Sequence, residues 1–144
     1  DMIELSAPLC DIGNVSIPST LLQKQDALTD EEIQIMQSHT VQGARILRDI
    51  EGNGEFNNFI HMSREIANFH HENYDGSGYP SNKAGEEIPT GARILRVCDV
   101  YAALSSDRPY RKAFDIQTVM ELMIEEVKNF DMQIFLAFQR VVHR

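Results

Sequence analysis

Apolar side chains in this chain recur at helical spacing, and no run alternates with period two for long enough to form a strand, so the chain is restricted to helices packed on helices. The clearest pattern opens at Thr29, where Thr29 and Glu32 make a capping box and Asp30, Glu31 and Glu32 suit the positive end of a helix. Ile33, Met36, His39, Gly43, Ile46, Leu47 and Ile50 then share one face, which predicts a single helix ending at Gly52 and Gly54. A second is predicted from about Phe56 to His71, with Phe59, Ile60, Ser63, Ala67 and His70 inward. Asn73 to Pro80 is too rich in breakers to be anything but a loop, and it stays polar through Glu87. Pro89 starts a third helix carrying Ile94, Val97, Cys98, Tyr101 and Leu104, which Ser105 to Pro109 breaks. Asp115 and Asp131 read as N-caps of two more, with Val119, Leu122, Met123 and Val127 inward on one and Ile134, Phe135, Phe138 and Val142 on the other.

The 144 residues fit one domain, and no repeat, low-complexity tract or linker divides them. With 22 acidic against 13 basic side chains, the net charge of −9 argues against nucleic-acid polymers and anionic membranes as partners. The longest apolar stretches, such as Ile134 to Ala137, are far too short to cross a bilayer. Cys10 and Cys98 are too few for a disulfide framework and no signal peptide is visible, so a reducing cytoplasm is the expected setting. The chain opens on Asp1 rather than Met and reads as part of a longer protein.

Metal-ligand residue types occur at Cys10-Asp11, His39, His70-His71 and Asp99. Separations of roughly 30 residues are too long for a zinc-finger clip but match ligands delivered by successive helices to a bundle core. Imidazole and carboxylate with at most one thiol suit Fe, Mn, Zn or Mg. Each residue has a plainer reading. His39 on an apolar stripe reads equally as a hydrogen-bonded core histidine, and His70-His71 as an ordinary pair. Asp99 interrupts Val97-Cys98-Asp99-Val100 and needs a cation or strong hydrogen bonds, a salt bridge to Arg93 or Arg96 being the simplest. His61 and His143 read as solvent-facing, and Glu125-Glu126 as a solvated face.

His70-His71-Glu72, Asp75-Gly76-Ser77-Gly78-Tyr79-Pro80, Arg93-Ile94, Asp99 and Ser106-Asp107-Arg108-Pro109-Tyr110-Arg111 together resemble the HD-GYP family of metal-dependent phosphodiesterases. The resemblance extends upstream through Ala7 to Asn14, Ile17-Pro18, Leu28-Thr29 and Ser38-His39-Thr40, almost the whole chain. It implies an all-α bundle of the HD superfamily with a long Gly-Tyr-Pro loop over residues 1–144, lacking the N-terminal helices that carry further ligands in trinuclear members. It implies hydrolysis of cyclic di-GMP, a bacterial second messenger, to pGpG and GMP. It also implies two divalent metal ions, Fe or Mn first and Zn or Mg as alternatives, bridged by an aspartate and a hydroxide. By the same resemblance Asp11 is the bridging carboxylate, and Cys10, His39, His70, His71 and Asp99 are further ligands. Asn14 stands beside the scissile phosphate, Asp75, Gly78, Tyr79 and Pro80 form the recognition loop, and Arg108 and Arg111 meet the ligand's phosphates. The loop is also where a diguanylate cyclase (GGDEF) domain would dock, and members are often fused to receiver or sensory modules.

Three positions depart from the family pattern. Cys10 replaces the histidine of the His-Asp dyad, Asn14 replaces a lysine, and Ala102 stands where a second aspartate is common. A thiol ligates only as thiolate, and an amide cannot neutralise a phosphate. Two readings therefore stand side by side, an active phosphodiesterase and a degenerate domain that binds cyclic di-GMP or a protein partner without turnover.

Overall fold

The computed structural model describes residues 2–51 and 58–142. Gly52, Gly54, Phe56 and His143, used above to bound helices or assign exposure, lie outside the described residues. Helices α1 (Met2–Ser6), α2 (Ser19–Leu22), α3 (Asp30–Gln37), α4 (His39–Glu51), α5 (Asn58–Phe69), α6 (Thr90–Leu104), α7 (Ile116–Glu125) and α8 (Met132–Val142) follow in order, joined by short 3-10 turns. Among the described residues the sole β feature is one antiparallel bridge, Arg108 with Arg111, so the all-α expectation holds. None of these helices is long and apolar enough to cross a membrane.

The stretch predicted as one helix from Thr29 to Ile50 is two. The capping box forms as expected, Thr29 Oγ1 accepting from the Glu32 amide at 3.1 Å and Glu32 Oε1 from the Thr29 amide at 2.9 Å. At Ser38 to Thr40, however, three successive side chains turn back onto the carbonyls of Ile35, Met36 and Gln37. Polar side chains that take helical carbonyls in this way bend or interrupt the helix. The break re-aims α4, so Gly43 and Leu47 are buried whereas Ile33 and Ile50, expected inward, are exposed. Cys98 is likewise exposed rather than inward on α6.

The other boundaries follow their caps. Pro89 precedes α6, and its carbonyl accepts from the Arg93 amide. Asp115 caps α7 through the Thr118 amide, and Asp131 Oδ1 accepts from Gln133 and Ile134 at the start of α8. Val97, Val119, Met120, Met123, Phe130 and Phe135 make a closed apolar cluster between α6, α7 and α8, with Leu104, Ile134, Phe138 and Val142 against it. Leu47, Ile66, Ala67, Ile88 and Ala92 are also buried, and α5 packs on α4 and on α6. The 3-10 segment Ile12–Ser16 packs on α4 at very close range, because a Cβ on Gly13 would collide with the carbonyl of His39 and the amide of Gly43. Only a glycine admits that approach, and it seats Asp11 beneath His39.

A candidate metal centre

Asp11, His39, His70 and His71 come together, one ligand atom of each lying within 4.8 Å of the others. They arrive from separate elements: Asp11 from the turn before Ile12–Ser16, His39 from the first position of α4, and His70 and His71 from the end of α5. The helix predicted to run through His71 closes at Phe69, with the Glu72 amide on the Phe69 carbonyl. That tighter closing turn brings the two imidazoles to 4.2 Å between centroids, so both serve one centre. His39 lies 5.5 Å from His70 and 4.9 Å from His71 by the same measure.

Hydrogen bonding decides which nitrogens face inward. His39 Nδ1 lies 2.7 Å from the Met36 carbonyl, and His70 Nδ1 lies 2.8 Å from that of Ile66 and 3.2 Å from that of Ala67. Carbonyls only accept, so both protons sit on Nδ1 in the neutral rings and each Nε2 turns a lone pair inward. Those Nε2 atoms stand 3.3 Å and 3.2 Å from the same oxygen, Asp11 Oδ1. Buried His39 Nε2 has no hydrogen bond of acceptable geometry. Two inward Nε2 atoms on one carboxylate oxygen take up a proton or a metal cation between them, and a backbone-anchored Nδ1 with Nε2 inward is the usual posture of a metal-ligating histidine. The residues present therefore fit a divalent ion.

The electrostatics agree. His39 and then His70 hold the Asp11 carboxyl far below the usual range despite partial burial. Burial lowers the His39 pKa, but Asp11, the Met36 carbonyl and the charge of Asp99 outweigh it, and the net shift is upward. Burial first, then His70, His39 and Arg96, push His71 down to about 2 and keep it neutral, the state that binds metal.

Cys10 and Asp99 stand outside the four-donor group. Burial, followed by the charges of Asp11 and Asp99, pushes the Cys10 thiol up to about 12, so it is not a thiolate. Burial also raises the Asp99 carboxyl, aided by Asp11 and opposed by His70, Arg96 and Arg108. The expected salt bridge from Arg93 to Asp99 does not form. Arg93 instead reaches Asp131 at 2.6 Å, and among the described residues Asp99 has no ion pair.

The loop from His71 to Ile88 covers one side of the centre. Tyr79 stacks on His71 at 4.9 Å with an interplanar angle of 11°. Gly78 is buried where a Cβ would strike the carbonyl of His71 and the amide of Asn73. Asp75, expected in the recognition loop, is exposed, and its Oδ1 accepts from Ser77 N at 3.0 Å and Ser77 Oγ at 2.6 Å. Pro80 is half-buried beside Tyr79 and lines a shallow cleft with Ser38 and Val41. Asn14 is half-buried in Ile12–Ser16, close to Asp11 in the chain. Arg111 is committed locally, Nη2 to the Ala103 carbonyl at 2.9 Å and Nη1 to that of Lys112 at 3.0 Å, and Arg108 is exposed.

Two residues at this site were not singled out from the sequence. Glu72 is 1% exposed, and its carboxylate accepts from Ser81 N at 2.6 Å and Lys83 N at 3.0 Å, tying the far limb of the loop to the histidines. The available signal was its position, an acid immediately before a breaker-rich loop whose amides need acceptors. Arg96 had entered only as a salt-bridge alternative for Asp99. It reaches Asn73 Oδ1 at 2.8 Å and His71 Nδ1 at 3.5 Å.

A family model described as HD domain matches residues 2–134. A cyclic di-GMP phosphodiesterase of Vibrio cholerae serotype O1 is 39% identical over 142 residues, covering 98% of this chain and 29% of the relative. The cyclic di-GMP phosphodiesterase response regulator RpfG of Xanthomonas campestris pv. campestris is 43% identical over 119 residues, 83% of this chain and 30% of its own length. A 3'3'-cGAMP-specific phosphodiesterase 2 of Vibrio cholerae serotype O1 is 39% identical over 132 residues, 91% of this chain and 24% of that protein. This chain thus spans less than a third of the length of these relatives.

Proposed function

Since this chain belongs to the HD domain family, whose phosphohydrolases are metal-dependent, we propose that it hydrolyses the phosphodiester of a cyclic dinucleotide, cyclic di-GMP first, to pGpG and GMP in the bacterial cytoplasm. The observation that carries this reading is the convergence of two carbonyl-anchored imidazoles on Asp11 Oδ1. Asp11, His39, His70 and His71 would hold a metal ion, Asp99 would stand beside them as a further ligand, Cys10 would join only on losing its proton, and two ions, Fe or Mn, are expected. A bound divalent cation supplies Lewis acidity toward the phosphodiester and a more acidic water. The chain's own groups do the rest. Asp11, held ionised by its imidazoles, keeps a full negative charge at the centre, and neutral His71 contributes a lone pair. Tyr79, stacked on His71, shields that ring from water, while Gly78 and Pro80 shape the loop around it. Asn14 offers an amide N–H to the leaving oxygen, and Arg108 meets the phosphates together with the donors that Arg111 does not spend on the Ala103 and Lys112 carbonyls.

Cys10 and Asn14, in place of the family's histidine and lysine, favour a second reading, a receptor that binds cyclic di-GMP, or a diguanylate cyclase domain at the loop, without turnover. Chromatography of cyclic di-GMP incubated with Mn-, Fe- or Zn-loaded protein separates the two. Formation of pGpG and GMP is expected. Binding without product in all three metals, with activity created by Cys10→His together with Asn14→Lys, overturns the enzyme reading in favour of the receptor. Relatives named for cyclic di-GMP and for 3'3'-cGAMP match at equal identity, so both dinucleotides belong in the assay.

A further inference from the structure

Arginines near the donor cluster differ in what they have left to give. Arg93 has a partner on each of its three nitrogens, with Nη1 on Asp131, Nε on the Ile88 carbonyl and Nη2 on Thr90 Oγ1. Arg111 serves two carbonyls and lies 4.6 Å over the Phe114 ring. Arg96 is otherwise. It is half-buried, its polar partners are a neutral amide oxygen and a neutral imidazole, and among the described residues it makes no ion pair within 4 Å. Glu126, which lines a 290 Å³ cavity with Arg96, is engaged by Asn129 Nδ2 at 2.7 Å. Asp99, on the same helix, is close enough to feel the charge but does not pair with it.

Burial works against the Arg96 charge, and Asp99 and Glu126 offset it only from a distance, so the guanidinium has carboxylates nearby but none in contact. Its Nε–H is fixed by Asn73 and one Nη1–H lies at a long 3.5 Å from His71 Nδ1, which leaves Nη2 and the other Nη1–H for a phosphate oxygen. We propose that Arg96 is a substrate-binding residue that holds a non-bridging phosphate oxygen of the cyclic dinucleotide beside the metal centre. The inference rests on the cyclic-dinucleotide reading above. It supplies, from α6, a positive charge in a site that has Asn14 in place of a lysine and an Arg111 already committed.

Three variants of the metal-loaded protein test it, with cyclic di-GMP as the probe. The readouts are KM and kcat, the Kd by equilibrium dialysis, the metal content per chain and the melting temperature. Arg96→Gln is expected to raise KM and Kd about tenfold or more, the usual size of one lost charge-assisted hydrogen bond, with metal content unchanged. Arg96→Lys recovers part of the loss. Asn73→Asp is the sharper test, since it places an isosteric carboxylate at the 2.8 Å contact while leaving Arg96 intact. If Arg96 receives the substrate's anion, Asn73→Asp weakens binding without lowering the melting temperature. If Arg96 merely pins the loop, Asn73→Asp strengthens the pin and leaves binding unchanged, which overturns the proposal. Wild-type affinity in Arg96→Gln, or a loss of metal in step with affinity, overturns it too. Should Arg96→Gln fail to fold, Asn73→Asp decides alone. A wild-type protein that neither binds nor cleaves cyclic dinucleotide in any metal removes the parent reading and this one together. Wild-type binding that is indifferent to both variants removes this one only.

Discussion

Helix α6 has two sides that are held in place by opposite physics. Val97 faces the cluster of Val119, Met120, Met123, Phe130 and Phe135, where burial alone is stabilising and no partner is required. Asp99, two residues on, turns toward Asp11, His39, His70 and His71, where polar groups face one another without a donor between His39 Nε2 and Asp11. The apolar end is complete as it stands. The donor end is complete only with a cation, so the first sets the scaffold's stability and the second its chemistry.

Breaking the donor end should give the largest effect. Asp11→Ala and His70→Ala are each expected to cut metal content and phosphodiesterase rate by at least about a hundredfold, because loss of a ligand exceeds the loss expected for an outer partner. The metal-free melting temperature should fall modestly in Asp11→Ala, which removes the partner of both imidazoles, and further in His70→Ala, which also leaves a cavity. A rate lost with metal content unchanged would show that these side chains are not ligands. At the apolar end the expectation reverses. Met123→Ala should cost about 2–5 kcal/mol in chemical denaturation while metal content and rate per folded molecule stay near wild type.

Glu72→Gln bears on the seam between the two ends. An amide can keep one of the two backbone bonds but presents N–H to the other, a local loss of about 1–3 kcal/mol. Faster hydrogen exchange at Ser81 and Lys83 and weaker dinucleotide binding, with metal retained, are expected. Unchanged exchange would show that the loop is held elsewhere.

The smallest effect is in pH. His39 gains Asp11 on folding and its pKa is raised, so its contribution to metal-free stability is present below its unfolded value of about 6.5 and is lost as pH rises through the higher folded value. Asp11 is depressed, so its contribution is lost only as pH falls far into acid. His71, held neutral, works the other way, so metal-free melting temperature should climb up to about pH 6.5 and fall modestly above it, whereas metal affinity should rise throughout as the ion displaces the proton. A metal-free melting temperature that keeps climbing well above about pH 7 would contradict the proton assigned between His39 and Asp11.

Much of this was legible in the chain. The Thr29, Asp115 and Asp131 caps, the start of α6 at Pro89 and the inward faces of α7 and α8 follow from local signals, and each is found where the sequence placed it. Four of the six predicted ligands converge because each sits beside a helix boundary that packing brings together. The break at Ser38 was hidden because Ser, His and Thr are all tolerated inside helices, and only their geometry shows their side chains taking the carbonyls of Ile35, Met36 and Gln37. Arg96 was hidden for a related reason, since which acid an arginine pairs with depends on distances between helices.

Residue types and spacing by themselves determined an all-helical chain, the loop after His71 and the identity of the donors, because capping, periodicity and ligand chemistry are local properties. Only the tertiary structure decided that Gly13 presses its backbone on His39, that both imidazoles turn Nε2 to a single carboxylate oxygen, and that Arg96 makes no ion pair among the described residues. Those are facts of orientation and distance between elements far apart in the chain, and they are fixed by packing.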